Sequence, residues 1–198
     1  MERIHGIWGT AVSYSGVSFF CGYCNSLASP SIGYKSVDNN ARTNQVQARI
    51  FICPNCNRPT LDITSSNEQF PGPRLGQDLK YLPNDIEQLY NEVRNCISVN
   101  AFTSAVLSSR KILMNTAVSK GAEEGKNFAY YVNFLESNHF IPPNSKEWVD
   151  HIRNKGNEAT HEIPCMLKED AIELLDFVEM LLRFLYELPG RMTARKQV

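Results

Sequence analysis

The sequence predicts a mainly α protein: a helical bundle of about five helices preceded by a small β module. Three observations carry this expectation. Up to about residue 64 the apolar residues fall in short β-prone runs with no helical period. From about residue 84 onward they recur every three or four positions, the spacing of one helix face. Four of the six cysteines form two Cys-x-x-Cys pairs, both in the first part.

In the first part, residues 1–64, "VSYSGVSFFCGYC" and "NQVQARIFICPNC" each end a β-prone stretch in a cysteine turn. Cys21-Gly-Tyr-Cys24 and Cys53-Pro-Asn-Cys56 are separated by 28 residues. Two thiolates three positions apart can face one ion from a tight turn, and two such turns supply the tetrahedral sulfur shell that zinc prefers. With all four places taken no position is open to water, so Cys21, Cys24, Cys53 and Cys56 point to a structural Zn2+ and a zinc ribbon. A stretch with few large apolar side chains needs such a staple. Disulfides, redox dithiols and a four-thiolate iron site are the alternatives. Cys96 and Cys165 read as small buried residues.

Residues 65–83, rich in Pro, Gly and polar residues, read as a linker. In 84–188, the bundle, the first helix is "NDIEQLYNEVRNCI", with Ile86, Leu89, Tyr90, Val93 and Ile97 as its buried stripe. Asn100 is expected to cap a second helix that Gly121 ends. A third, near 126–137, buries Phe128, Tyr131, Val132 and Leu135; Asn144 and Glu147 suggest a capping box for a fourth carrying Trp148 and Ile152. The last runs from about 168 to 187, before Pro189-Gly190, and residues 189–198 read as a flexible tail. In this last helix Glu169, Asp170, Glu173, Asp176, Glu179, Arg183 and Glu187 form one narrow polar line, and the remainder is apolar. Such a helix either lies at the centre of the bundle or meets a second copy of the chain.

A formal net charge of −1 gives no overall basic field for nucleic acid, so such a partner would need a local patch. Arg42, Arg49, Arg58 and Lys35 with Tyr34 offer a modest one, or are scattered solvated charge. No signal-peptide pattern opens the sequence, and charges interrupt its longest apolar stretch. The chain reads as cytoplasmic, with no membrane span.

The chemically richest stretch is "WVDHIRNKGNEATHEI", residues 148–163. On a continuous helix Arg153, Asn157 and His161 would fan over about 80° of one face. With Asn154 they form a set able to hold a phosphate and move a proton near neutral pH. Equally, Gly156-Asn157 terminates helices, and His161 could bond a carbonyl in the turn before "EIP". Arg110 lies on or beside the core face of the second helix, where its charge must be paired by a carboxylate such as Glu158 or Glu162, or by a ligand phosphate.

Two cysteine knuckles, then "AVLSSRKILMNTAVSKGAEEGKNFAYYVNFL", "WVDHIRNKGNEATHEI" and "DAIELLDFVEMLLRFLYELP", in that order, resemble the bacterial family known as domain of unknown function 4145. That family is placed in the HEPN superfamily, which implies a HEPN-like helical bundle; many members are dimeric, metal-independent RNases of phage defence and toxin systems. The superfamily motif is an arginine, usually followed by a polar residue, then several residues and a histidine. Arg153-Asn154 fits its start and His161 its end, with seven residues between Arg153 and His161. The resemblance implies that His161 acts as general acid or base while a ribose 2′-hydroxyl attacks its own phosphate. Arg153 would stabilise the developing charge, and two copies would form one cleft. The expectation is therefore a homodimer that binds RNA or a nucleotide phosphate and cleaves RNA. The alternative is a non-catalytic dimerising adaptor whose zinc ribbon docks on nucleic acid or a larger restriction or defence protein.

Overall fold

The computed structural model describes residues 11–37, 46–142, 148 and 166–196. The chain divides into two compact units, Met1–Arg74 and Leu75–Val198.

The first unit corrects the expected fold class. It contains β1 (Val12–Ser13), β2 (Phe19–Phe20), β3 (Leu27–Ala28), β4 (Ile32–Val37), β5 (Val46–Ile52), β6 (Pro59–Ile63) and β7 (Glu68–Phe70). They form a five-stranded sheet in the order β1-β4-β5-β6-β7 and a two-stranded sheet β2-β3, with every pairing antiparallel. A chain carrying a sheet of this extent beside its helices is not mainly α, and it is not a helical bundle with a minor β appendage; it combines an all-β unit with an α unit. The mismatch has a local cause. Strands pair residues that are distant in sequence, and a three-residue strand such as β7 leaves no periodic trace within a Pro- and Gly-rich stretch.

Alternation sorts the sheet's faces. Gly33, Phe51 and Thr60 lie in one cross-strand row. On that face Phe51 packs against Phe19 with ring centroids at 5.2 Å and meets Tyr14 edge-on at 5.3 Å. The neighbouring row, Tyr34, Ile50, Leu61 and Phe70, points to the other face. Gly33 is required because a Cβ there would lie 2.2 Å from the carbonyl oxygen of Ile50.

The second unit holds α1 (Asn84–Ser98), α2 (Phe102–Ser119), α3 (Phe128–Ser137), α4 (Lys168–Leu182) and α5 (Leu188–Lys196), with a π-helical turn, Arg183–Glu187, joining the last two. Helix α2 packs on α1, α3 and α4. Ile86, Tyr90, Val93 and Ile97 of α1 are buried as the periodicity predicts, while Leu89 is half-buried. Helix α4 buries Leu174, Leu175, Phe177, Val178, Leu181 and Leu182. At about 1.5–3 kcal/mol for each large apolar side chain removed from water, this face dominates the helix's contribution.

Asn100 does not cap α2. It has φ +61° and ends α1, with its N–H bonded to the Ile97 carbonyl and that of Ala101 to Cys96. This six-to-one and five-to-two pair is the Schellman arrangement, in which asparagine is a common substitute for glycine. Gly121, at φ +101°, closes α2 in the same way, as its position predicts. Asn127 caps α3 by accepting from Tyr130 N–H at 2.9 Å. The capping residues Asn144 and Glu147, with Ile152, lie outside the described residues; Trp148 is helical and meets Phe177 edge-on at 4.9 Å.

Pro189-Gly190 does not stop the chain's helical run: α5 spans Leu188–Lys196, so residues 189–196 of the expected tail are helical. The π turn has already broken the regular hydrogen-bond ladder just before Pro189, so the proline's missing N–H costs little there. Nor is the polar line of this helix simply a solvated edge. The segment ahead of α1 buries Leu79 and Leu82, and α4 and the π turn bind its backbone. Glu179 accepts from Gln77 N–H at 2.8 Å, and Glu187, almost wholly enclosed, accepts from Lys80 N–H at 3.4 Å.

Candidate metal centre

The two cysteine turns sit in equivalent places. The first joins β2 to β3 and the second joins β5 to β6. In each, the first cysteine's N–H bonds a carbonyl five residues on (Cys21 to Ser26, Cys53 to Arg58), both at 3.0 Å. The residue after the second cysteine returns a bond of 2.8 Å to the first cysteine's carbonyl, from Asn25 to Cys21 and from Asn57 to Cys53. Asn25 and Asn57 have φ +56° and +59°. Asparagine tolerates this left-handed conformation, which is why Cys-x-x-Cys-Asn occurs twice in the chain. That repeated asparagine is a sequence signal for the turn geometry beyond the cysteine spacing.

All four sulfurs lie within 4.8 Å of one another. Cys21 Sγ is 3.7 Å from Cys56 Sγ, and Cys24 Sγ is 3.7 Å from Cys53 Sγ. A tetrahedral zinc site with bonds of about 2.3 Å requires sulfurs about 3.8 Å apart, so these two edges already have the length of a filled site. A disulfide needs about 2.05 Å, and all four cysteines are free thiols. The donor set and its spacing are thus those of a closed, four-thiolate metal site compatible with zinc.

The sulfurs differ electrostatically. Burial pushes the Cys21 thiol up, against hydrogen bonds from the Cys24 and Tyr23 amides, and burial also raises Cys56. For Cys24 burial acts upward too, but bonds from Ser26, Asn55 and Cys21 outweigh it and lower the thiol to about 6. Asn55 bridges the turns, donating to Cys24 Sγ at 3.4 Å and to Ser26 Oγ at 3.0 Å. Neighbouring thiolates repel unless a cation sits among them, so the cluster favours a divalent ion over four free charges. Gly22 has a separate reason: a Cβ there would lie 2.4 Å from the Gly72 carbonyl oxygen and 2.6 Å from that of Pro71.

The other predicted site residues are not assembled among the described residues. Arg153, Asn154, Asn157 and His161 lie outside them, as do Glu158, Glu162, Cys165 and Arg42. Arg110 is buried on α2 with its guanidinium 4.4 Å above the Phe128 ring centre, and burial pulls its pKa down. Of the suggested basic patch, Arg49 is paired with Asp62 at 2.7 Å and Arg58 covers the Tyr23 ring at 5.3 Å. Cys96 is half-buried, and burial and Glu92 raise its thiol, so it is a poor nucleophile.

Periodicity missed a polar network in the second unit. Arg94 is 1% exposed and donates to the carbonyls of Leu75 at 2.7 Å and Gly76 at 2.9 Å, and to Asp78 at 2.6 Å. Tyr90 Oη bonds Gln77 O and Glu179, while Arg183 and Arg191 flank the acids at 179 and 187. Its signal would have been an arginine one position from the apolar stripe of α1.

Fold and site together define a two-unit protein with an all-β unit, a four-cysteine cluster compatible with a metal site, and an α unit. A family model described as domain of unknown function (DUF4145) matches residues 91–197. The chain belongs to that family. No curated protein and no solved structure matches it.

Proposed function

We propose that the chain is a prokaryotic defence or toxin-type protein related to the HEPN-like superfamily, carrying a zinc ribbon and acting on RNA as a metal-independent endoribonuclease. The observation that carries this reading is the position of the motif. Arg153, Asn154, Asn157 and His161 all fall inside the segment that matches the family. The motif spans four to six residues between its arginine and histidine, and seven separate Arg153 from His161, one more than the pattern, a register that a turn at Gly156 would have to absorb. His161 would serve as general acid or base for attack by a ribose 2′-hydroxyl, and Arg153 would stabilise charge on the phosphoryl oxygens. Asn157 would join Arg153 and His161 in the catalytic set, and Arg110 and Asn154 would hold the phosphate. Phe184, Leu188 and Met192, four residues apart and 45–62% exposed, support a homodimer. Among the described residues no helix is long and apolar enough to cross a membrane, which accords with a cytoplasmic role.

A second reading has its own support. Phe20 and Leu27 pair across β2 and β3 beside the first cysteine turn and are 50% and 64% exposed. Such a surface suits a non-catalytic adaptor whose ribbon docks on nucleic acid or a larger restriction or defence protein. The deciding experiment incubates the protein with mixed RNAs in a buffer free of added divalent cations, alongside His161→Ala and Arg153→Ala. The enzyme reading expects cleavage that both substitutions abolish while circular dichroism stays unchanged. Failure to cleave any of a varied RNA set, or full activity in His161→Ala, overturns it and leaves the adaptor.

A further inference from the structure

The four cysteines of the cluster are not equally exposed. Cys21 and Cys53 are fully enclosed and Cys56 nearly so, whereas Cys24 is part-exposed. Across the site, on the other turn, the Cys53 sulfur lies 3.7 Å from that of Cys24.

We propose that Cys24 is a site of oxidation by hydroperoxides, with Cys53 as its resolving partner, so that the metal centre converts to a disulfide across the two turns and releases its ion. The Cys24 thiolate attacks a peroxide oxygen: a sulfur–oxygen bond forms, the oxygen–oxygen bond breaks, and the departing hydroxide takes a proton to become water. The Cys53 thiolate then attacks the Cys24 sulfur. A sulfur–sulfur bond forms, the sulfur–oxygen bond breaks, and a second hydroxide leaves as water. Two thiolates lose two electrons and one hydroperoxide molecule, here hydrogen peroxide, gains them.

Geometry favours this pair over closure within a turn. Joining Cys21 to Cys24 would draw Cys21 Sγ away from the Tyr23 and Cys24 amides that bond it. Joining Cys24 to Cys53 requires the sulfurs to close from 3.7 Å to about 2.05 Å between the two turns, each of which is held by its own backbone bond, Asn25 to Cys21 and Asn57 to Cys53. Cys21 and Cys56 alone then supply two of four ligands, too few for a closed site. The oxidised unit keeps its hairpins tied by a covalent bond where the ion had tied them.

The inference rests on the cluster binding zinc, and the test separates the two. The full chain, carrying Cys96→Ser and Cys165→Ser to remove competing thiols, is loaded with zinc and its zinc content measured. It is then treated with hydrogen peroxide while a chromophoric chelator reports free zinc and non-reducing peptide mass spectrometry maps the linkage. The expected result is zinc release at least about tenfold faster than without peroxide, with Cys24–Cys53 the first linkage formed. Zinc retained under excess peroxide, or a first linkage of Cys21–Cys24 or Cys53–Cys56, overturns the inference alone. A chain that takes up no zinc overturns the metal assignment and the inference with it.

Discussion

Arg94 allows a sharp test of what holds the segment 75–82 to the helices. Its side chain is 1% exposed, yet its ionic partner Asp78 is 80% exposed. A pair with one partner in water contributes only about 0–1 kcal/mol. The bonds from the same guanidinium to the carbonyls of Leu75 and Gly76 are a different matter. Hydrogen bonds from a charged donor are worth about 1.5–3 kcal/mol each, and a buried acceptor left bare costs its desolvation. Replacing Arg94 by Met keeps most of the volume and strips both carbonyls, so the expected loss is about 3–5 kcal/mol out of a typical total of 5–15. Asp78→Ala should lose less than about 1 kcal/mol. Urea unfolding followed by far-UV circular dichroism, which reports mainly the helical unit, measures both. If Asp78→Ala costs as much as Arg94→Met, the ion pair and not the carbonyl bonding holds the segment, and the reasoning fails.

Other outcomes follow from the same coordinates. Removal of zinc by a strong chelator should unfold the β unit, where binding of order 10–16 kcal/mol would be lost, and leave the helical signal intact; loss of the α unit as well would refute this. Lowering the pH should release the ion, because protons compete for the thiolates: Cys24 holds its charge down to about pH 6, and the raised Cys21 and Cys56 lose theirs well above that. A zinc affinity independent of pH between about 5 and 8 would contradict this ligand set. Gly22→Ala should reduce zinc affinity in a chelator competition, since the new methyl meets backbone oxygens that cannot rotate away. Asp176 lies exposed on α4, and partial desolvation with the nearby Glu179 and Glu173 raises its carboxyl, an effect that solvent screening keeps small. A raised carboxyl contributes stability below its unfolded pKa and loses it as pH rises through the folded one. Asp176→Asn should therefore stabilise the protein at neutral pH by about 0.2–0.5 kcal/mol and not at pH 3, as read from the melting temperature at each pH.

How much of this was legible in the chain depended on the range of the interaction involved. The cysteine spacing announced the metal site because the ligands of each turn are three residues apart and the turn is local. The stripe of α1 and the glycine end of α2 were legible for the same reason, since both are set within a few residues. Asn100 was placed on the wrong helix end: a polar residue between two helical runs suits either a cap or a left-handed stop, and only the backbone bonds of Ala101 and Asn100 decide.

The extent of the sheet was hidden by distance. β4, β5 and β6 become a sheet only by pairing with one another, and β7 joins β6 through three residues that resemble a linker. The polar line of the last helix was hidden likewise, because Glu179 and Glu187 face a segment about a hundred residues earlier. Sequence alone determined which four cysteines cluster, most helix positions and the family. Tertiary structure decided the fold class, which cysteine of the cluster is part-exposed and why Arg94 is enclosed, because each of these is set by contacts between residues far apart in the chain, and a local pattern carries no record of its distant partner.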